Sequence, residues 1–216
     1  MTSSDDPHRG QPVLTAGAAL AGARGALIML HGRGANAADI IGLADLIETA
    51  GLACLAPDAA GHAWYPNPFM TAVARNQPWL SSALGIVAGL IDRAGAAGIA
   101  PGQVAILGFS QGACLALEFA ARNPRRYGAV LALSGGLIGE RIVAADYAGS
   151  LAGTPVFLGC SDVDPFIPLV RVRESAAAMR QLGAAVTERI YPGAAHTVVS
   201  DEVAQARAMI DAMMAA

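Results

Sequence analysis

The sequence predicts an α/β protein with a doubly wound, mostly parallel sheet and helices on both faces. Two observations predict it. Six short apolar runs alternate with segments whose apolar residues recur at helical spacing. Apart from the last, at 185–191, the runs are largely apolar rather than alternating, as strands buried on both faces are. Right-handed crossovers would then gather the loops that follow the strands along one edge of the sheet.

The elements follow in order. Residues 26–30 form the first run, bounded by Gly25 and by His31-Gly32. Asn36 reads as the cap of a helix that carries Ile40, Leu43, Leu46 and Ile47 and ends at Gly51. Residues 52–56 are the second strand, closed by Pro57, and residues 61–78 make a long connection rich in Pro, Asn and aromatics. A helix over 79–94 places Leu80, Leu84, Val87 and Ile91 on one face. The strand beginning at Val104 runs into a helix that ends near Asn123-Pro124, and residues 127–133 form the fourth strand. The connection over 137–154 is too short to be a large lid. A strand at 155–158, a helix at 169–182, a strand at 185–191 and a helix at 200–213 complete the chain.

At 216 residues with 54% apolar and 14% charged residues, the chain is expected to form one domain over 11–216, behind a polar, frayed tail at 1–10. A net charge of −3 and the absence of any basic run argue against nucleic acid, and no apolar stretch is long enough to anchor the chain in a membrane. The tail does not read as a secretory signal, and three scattered cysteines (Cys54, Cys114, Cys160) argue against a disulfide framework. A cytoplasmic location is therefore expected, and a homodimer is left open.

Gly108-Phe109-Ser110-Gln111-Gly112, at the strand-to-helix junction, fits the G-x-S-x-G nucleophile elbow. Glycines on both sides of a sharply turned residue remove side chains that would collide and leave the Ser110 hydroxyl exposed. A serine needs a base, and the base needs an acid to orient it. Later loops supply Asp162 or Asp164 and then His196, in the Ser…Asp…His order of α/β-hydrolases. Spacing alone leaves the two aspartates open, one of them being free to cap the following helix. Of the other histidines, His8 is expected to be solvated in the tail, His31 to shape the first loop, and His62 to stand in a pocket wall.

The loop His31-Gly32-Arg33-Gly34-Ala35-Asn36 has two readings. In one, the Arg33 N–H stands beside that of Gln111 as an oxyanion hole. In the other, Gly32-x-Gly34 with Asp58 on the next strand is a dinucleotide-binding fingerprint, which leaves the elbow and His196 unexplained.

Together, His31-Gly32-Arg33-Gly34-Ala35, Ala63-Trp64-Tyr65-Pro66, the elbow, Asp164-Pro165-Phe166-Ile167-Pro168 and Tyr191-Pro192 through His196 resemble the phospholipase/carboxylesterase family of α/β-hydrolases, which includes acyl-protein thioesterase-like serine esterases. The resemblance implies the α/β-hydrolase fold, Ser110 as nucleophile, Asp164 as acid, His196 as base, and the Arg33 and Gln111 amides as oxyanion donors. It also implies hydrolysis of carboxylic esters, with thioesters left open, through an acyl-enzyme; the short 137–154 connection points to small to medium esters, and the triad chemistry calls for no metal or other cofactor. Ala195 stands where the family often has Gly, and Gly159-Cys160 where it often has His-Gly. Trp64, Tyr65, Phe69, Met70 and Trp79 are the candidate pocket wall, and Cys114, one turn into the helix, reads as core. A non-catalytic binding module on the same fold is the alternative from a different class.

Overall fold

The computed structural model describes residues 6–47 and 51–216. Seven strands form one sheet: β1 (Val13–Gly17), β2 (Gly25–Leu30), β3 (Leu52–Pro57), β4 (Val104–Phe109), β5 (Ala129–Leu133), β6 (Pro155–Ser161) and β7 (Ala185–Tyr191). Their order is β1-β3-β2-β4-β5-β6-β7, parallel throughout except that β1 pairs antiparallel with β3. This is the predicted doubly wound α/β-hydrolase architecture with one strand added. The sequence reading missed β1 because an edge strand needs only one covered face: Val-Leu-Thr-Ala-Gly is neither a continuous apolar run nor a clean alternation, and Leu14 is exposed.

Every residue of β2, β3 and β5 is buried. Alternate side chains feed two cores. Ile28, Leu30, Ile106, Val130 and Leu158 pack beneath α3 (Trp79–Ala96), α4 (Gln111–Arg122) and α5 (Leu169–Gln181). Leu27, Met29, Leu107, Leu131 and Phe157 pack beneath α1 (Ala37–Ile41), α2 (Leu43–Ile47) and α6 (Ser200–Ala215). Full burial of such side chains contributes about 1.5–3 kcal/mol each, so the sheet is a rigid base for its C-terminal loops.

Asn36 caps α1 as expected: its Oδ1 accepts the N–H groups of Ala38 and Asp39, and Asp39 returns a bond to the Asn36 N–H. Among the described residues, the single helix predicted after Asn36 is two short helices joined at Gly42, and its last turn before Gly51, residues 48–50, lies outside the described residues. Between β5 and β6 the chain makes one short 3₁₀ turn and no lid domain.

The expected frayed tail at 1–10 is corrected where it is described: residues 1–5 lie outside the described residues, and residues 6–10 are packed down by His8, which is fully buried. The His8 N–H and ring, described below, are all engaged, and Asp6 accepts the Ser82 hydroxyl at 2.5 Å. A polar segment looks solvated until the partners that satisfy it are known.

Candidate active site

The elbow forms as its glycines require. Ser110 sits between β4 and α4 at φ 54°, ψ −117°, a left-handed backbone that a non-glycine residue adopts only under tertiary constraint. A methyl group on Gly108 would collide with the Gly112 backbone, and one on Gly112 with the Leu30 carbonyl at the tip of β2. The turn can therefore close only with glycine at both positions.

Three post-strand loops bring the predicted residues together. His196 Nε2 lies 2.9 Å from Ser110 Oγ, and His196 Nδ1 lies 2.6 Å from Asp164 Oδ2. The carboxylate partner assigns the ring proton to Nδ1, leaving Nε2 to accept from the serine hydroxyl. The second oxygen of Asp164 accepts the N–H groups of Phe166 at 2.9 Å and Ile167 at 3.0 Å. Burial pushes the Asp164 carboxyl up, but the bonds from His196 and the two N–H groups outweigh it and hold the carboxyl below its ordinary range. The neighbouring Asp162 accepts the Gly193 N–H at 2.7 Å and so pins the loop that carries His196. Neither aspartate caps α5: its N-cap is Pro168, with no side-chain cap bond.

Arg33 and Gln111 both line the cavity over Ser110. Among the described residues, neither backbone N–H donates to a backbone acceptor in a turn or loop. Their side chains converge on the loop that follows β3. Arg33 donates to the carbonyls of Tyr65 at 2.7 Å and of Pro66 and Asn67 at 3.1 Å. Gln111 accepts the Trp64 N–H at 2.8 Å and donates to the Tyr65 carbonyl at 2.9 Å. The Tyr65 carbonyl is thus held from two directions.

A cavity of about 590 Å³ opens over Ser110 and His196, within the range of small-molecule sites. Tyr65 and Phe69 line it as the sequence suggested; Trp64, Met70, Trp79 and His62 do not. Trp64 is wholly buried behind the wall, where its indole N–H donates to the His31 carbonyl at 2.8 Å and its ring packs between His8 and His31. Met70 and Trp79 pack half-buried against the core, and Trp79 meets His8 edge-on. His62 is exposed, with its ring on the Ala35 carbonyl. Aromatic residues in a connecting loop can face either way, and here the buried His31 carbonyl draws the Trp64 indole inward.

The reading also missed lining residues. Phe109 and Phe166 flank the His196 ring at 5.0 and 4.9 Å, and both lie within quoted motifs, next to Ser110 and two residues after Asp164. Cys114 is buried as expected but also lines the cavity.

His31 shapes the first loop as predicted. Its Nδ1–H donates to the Gly32 carbonyl at 2.7 Å and its Nε2 accepts the Ala59 N–H at 3.0 Å. His8 works in the same way, donating from Nε2 to the Trp64 carbonyl at 3.0 Å and accepting the Ala60 N–H on Nδ1 at 3.0 Å. Burial lowers both imidazole pKa values, which suits rings that must each keep one nitrogen unprotonated. The dinucleotide reading loses its carboxylate: Asp58 accepts the Ala37 N–H at 2.6 Å, inside the fold.

The fold and site define an α/β-hydrolase. A family model described as phospholipase/carboxylesterase matches residues 18–214, and the chain belongs to that family. It is 41% identical to a phospholipase/carboxylesterase from Dyadobacter fermentans, whose crystal structure superposes with a TM-score of 0.90 over 93% of this chain and 96% of that one. Acyl-protein thioesterase 1 of Saccharomyces cerevisiae is 36% identical over 109 residues, 49% of this chain and 48% of its own length. A probable carboxylesterase of Oryza sativa is 24% identical over 206 residues, 87% of each protein. The match thus spans about half the length of the yeast relative. Among the described residues, no helix is long and apolar enough to cross a membrane.

Proposed function

We propose that the protein is a serine esterase that hydrolyses small to medium carboxylic esters, thioesters among them, through an acyl-enzyme. The observation that supports this most directly is the unbroken chain of bonds from Ser110 to His196 to Asp164 at the mouth of an apolar cavity. His196 takes the Ser110 proton as Oγ bonds to the substrate carbonyl carbon. The oxyanion lies between the Arg33 and Gln111 N–H groups, each contributing about 3 kcal/mol of transition-state stabilisation. His196 then protonates the leaving group as its bond to carbon breaks; afterwards it takes a proton from the water that attacks the acyl-enzyme and returns it to Ser110 Oγ as the Oγ–carbon bond breaks and the carboxylic acid leaves. Asp164, its ionised form favoured by three hydrogen bonds, keeps the ring in the working tautomer and stabilises the imidazolium.

Support for short acyl groups comes from the modest cavity and the lack of a lid between β5 and β6. The relatives' names support ester and thioester chemistry alike. The test is a fluorophosphonate probe together with a panel of acyl-nitrophenyl and acyl-thioester substrates of graded length. Covalent labelling that disappears in Ser110→Ala, with turnover best on short and medium chains, is the expected result. A folded protein that neither labels nor turns over any ester would instead be the binding module.

A further inference from the structure

The N-terminal segment makes one attachment that reaches the substrate pocket. The His8 ring lies against the turn that leads from β3 into the pocket wall and binds it twice. Its Nδ1 accepts the Ala60 N–H at 3.0 Å, and its Nε2 donates to the Trp64 carbonyl at 3.0 Å. One rigid ring thus spans both ends of the stretch 60–64. Inside that stretch Gly61 and His62 have φ values of 60° and 58°. For a side-chain-bearing residue such as His62 this left-handed backbone is uphill, and it persists only where the surroundings hold it. A bond at each end of the stretch supplies that hold.

The ring is itself fixed. His8 is fully buried, tilted against Trp64 and edge-on to Trp79, and its N–H donates to the Ser82 hydroxyl of α3 at 3.0 Å. The same hydroxyl donates to Asp6, so the segment is tied to α3 at two residues. Asp6 favours the imidazolium, but burial outweighs it, which keeps the ring neutral and Nδ1 free to accept. Past Trp64 the chain runs straight into Tyr65, Pro66, Pro68 and Phe69, which line the cavity over Ser110. The turn also braces the first loop, because the His62 carbonyl accepts the Gly34 N–H at 2.7 Å. A residue far from Ser110 in the chain therefore holds the main chain from which the wall is hung.

We propose that His8 is a positioning residue for the substrate pocket: its ring staples the turn at 60–64, and the N-terminal segment thereby sets where the wall stands and how long an acyl group the cavity favours. This role rests on the esterase reading and deepens it, by assigning chain-length preference to a residue that touches no substrate. Binding energy from the far end of a substrate helps the reacting end only when the surface it meets stays in place. A hexanoyl group extends to the wall and depends on it, whereas an acetyl group ends beside Ser110.

The experiment compares kcat/KM for 4-nitrophenyl hexanoate and 4-nitrophenyl acetate in the wild-type protein and in His8→Phe, which keeps an aromatic ring against the two tryptophans but makes neither hydrogen bond. The hexanoate-to-acetate ratio is expected to fall about tenfold in the variant, the scale of one hydrogen bond, with the loss carried by a higher KM for the hexanoate. A loss common to both esters, from a shifted first loop or a smaller folded fraction, cancels in the ratio. A purely structural role for His8 would therefore lower the melting temperature and leave the ratio alone. A ratio within about twofold of the wild-type value overturns the proposal. Melting reports whether His8→Phe folds. Should it not fold, Ser82→Ala is the second variant: it removes the hydroxyl that ties the His8 N–H and Asp6 to α3 while keeping the ring. Its ratio should fall about threefold, the scale of a partly released hydrogen bond, and an unchanged ratio overturns the proposal. Fluorophosphonate labelling separates the two readings. A labelled enzyme with an unchanged ratio rejects only the role of His8, while an unlabelled wild-type protein rejects the esterase reading and this proposal together.

Discussion

The elbow and the pocket-wall loop lie on either side of one cavity and are held by different means. At the elbow, residues 108–112, backbone packs on backbone: Gly112 sits against the Leu30 carbonyl and Gly108 against Gly112 itself. In the wall, residues 59–79, side chains from distant segments bind main-chain groups, with Arg33 and Gln111 from the front and His8 and His31 from behind. The first arrangement restricts residue types and leaves a trace in the local sequence. The second restricts partners that are scattered along the chain and leaves almost none. That is why the same sequence reading found Ser110 and misplaced Trp64, Met70 and Trp79.

The sharpest way to break this comparison is Gly112→Ala. If the elbow is set by backbone contact, a methyl group facing the Leu30 carbonyl costs more than about 4 kcal/mol, the range of exceptional single substitutions, and neither cooperative unfolding nor labelling of Ser110 survives. An active, normally melting variant would show that the turn can relax. Next in size is Asp164→Asn, expected to lower kcat by about 10³–10⁴-fold by disfavouring the working imidazole tautomer. Asp162→Asn, which disturbs only the contact with Gly193, should cost about tenfold or less. Comparable losses in steady-state turnover would remove the distinction between the two aspartates.

For the wall, Arg33→Met keeps the backbone N–H and much of the side-chain bulk but deletes three hydrogen bonds. We expect kcat/KM to fall about tenfold as the first loop and the wall separate; unchanged kinetics would mean that the wall stands without this clamp. The smallest effect is expected from Trp64→Phe. It orphans the His31 carbonyl and opens a small void, lowering stability by about 1–3 kcal/mol in thermal or urea unfolding while leaving chain-length preference as it was. A changed preference at unchanged stability would put the indole back in the cavity.

Much of the fold was legible because burial on both faces writes continuous apolar runs, and five strands, β2 to β6, were found that way; the sixth, β7, was found although it lies at an edge with Thr187, Glu188 and Arg189 in its middle. The seventh, β1, lies at the edge and borrows its order from β3 through ladder bonds that any sequence can make. The histidines divide in the same way. His196 could be read from the loop it occupies relative to Ser110, and His31 from its place in the first loop beside the glycines. His8 could not, because nothing in a polar N-terminal segment announces that Trp64, Ala60 and Ser82 will surround it.

The sequence by itself determined the order of buried strands, the elbow and the serine, aspartate and histidine proposed as nucleophile, acid and base, since each follows from local sterics or from polar residues placed just after apolar runs. Tertiary structure decided what spacing along the chain left open: which aspartate meets His196 and which aromatics face the cavity. The physical reason is that covalent geometry acts between neighbours in the chain, while a hydrogen bond depends only on proximity in space, which the packed fold alone sets.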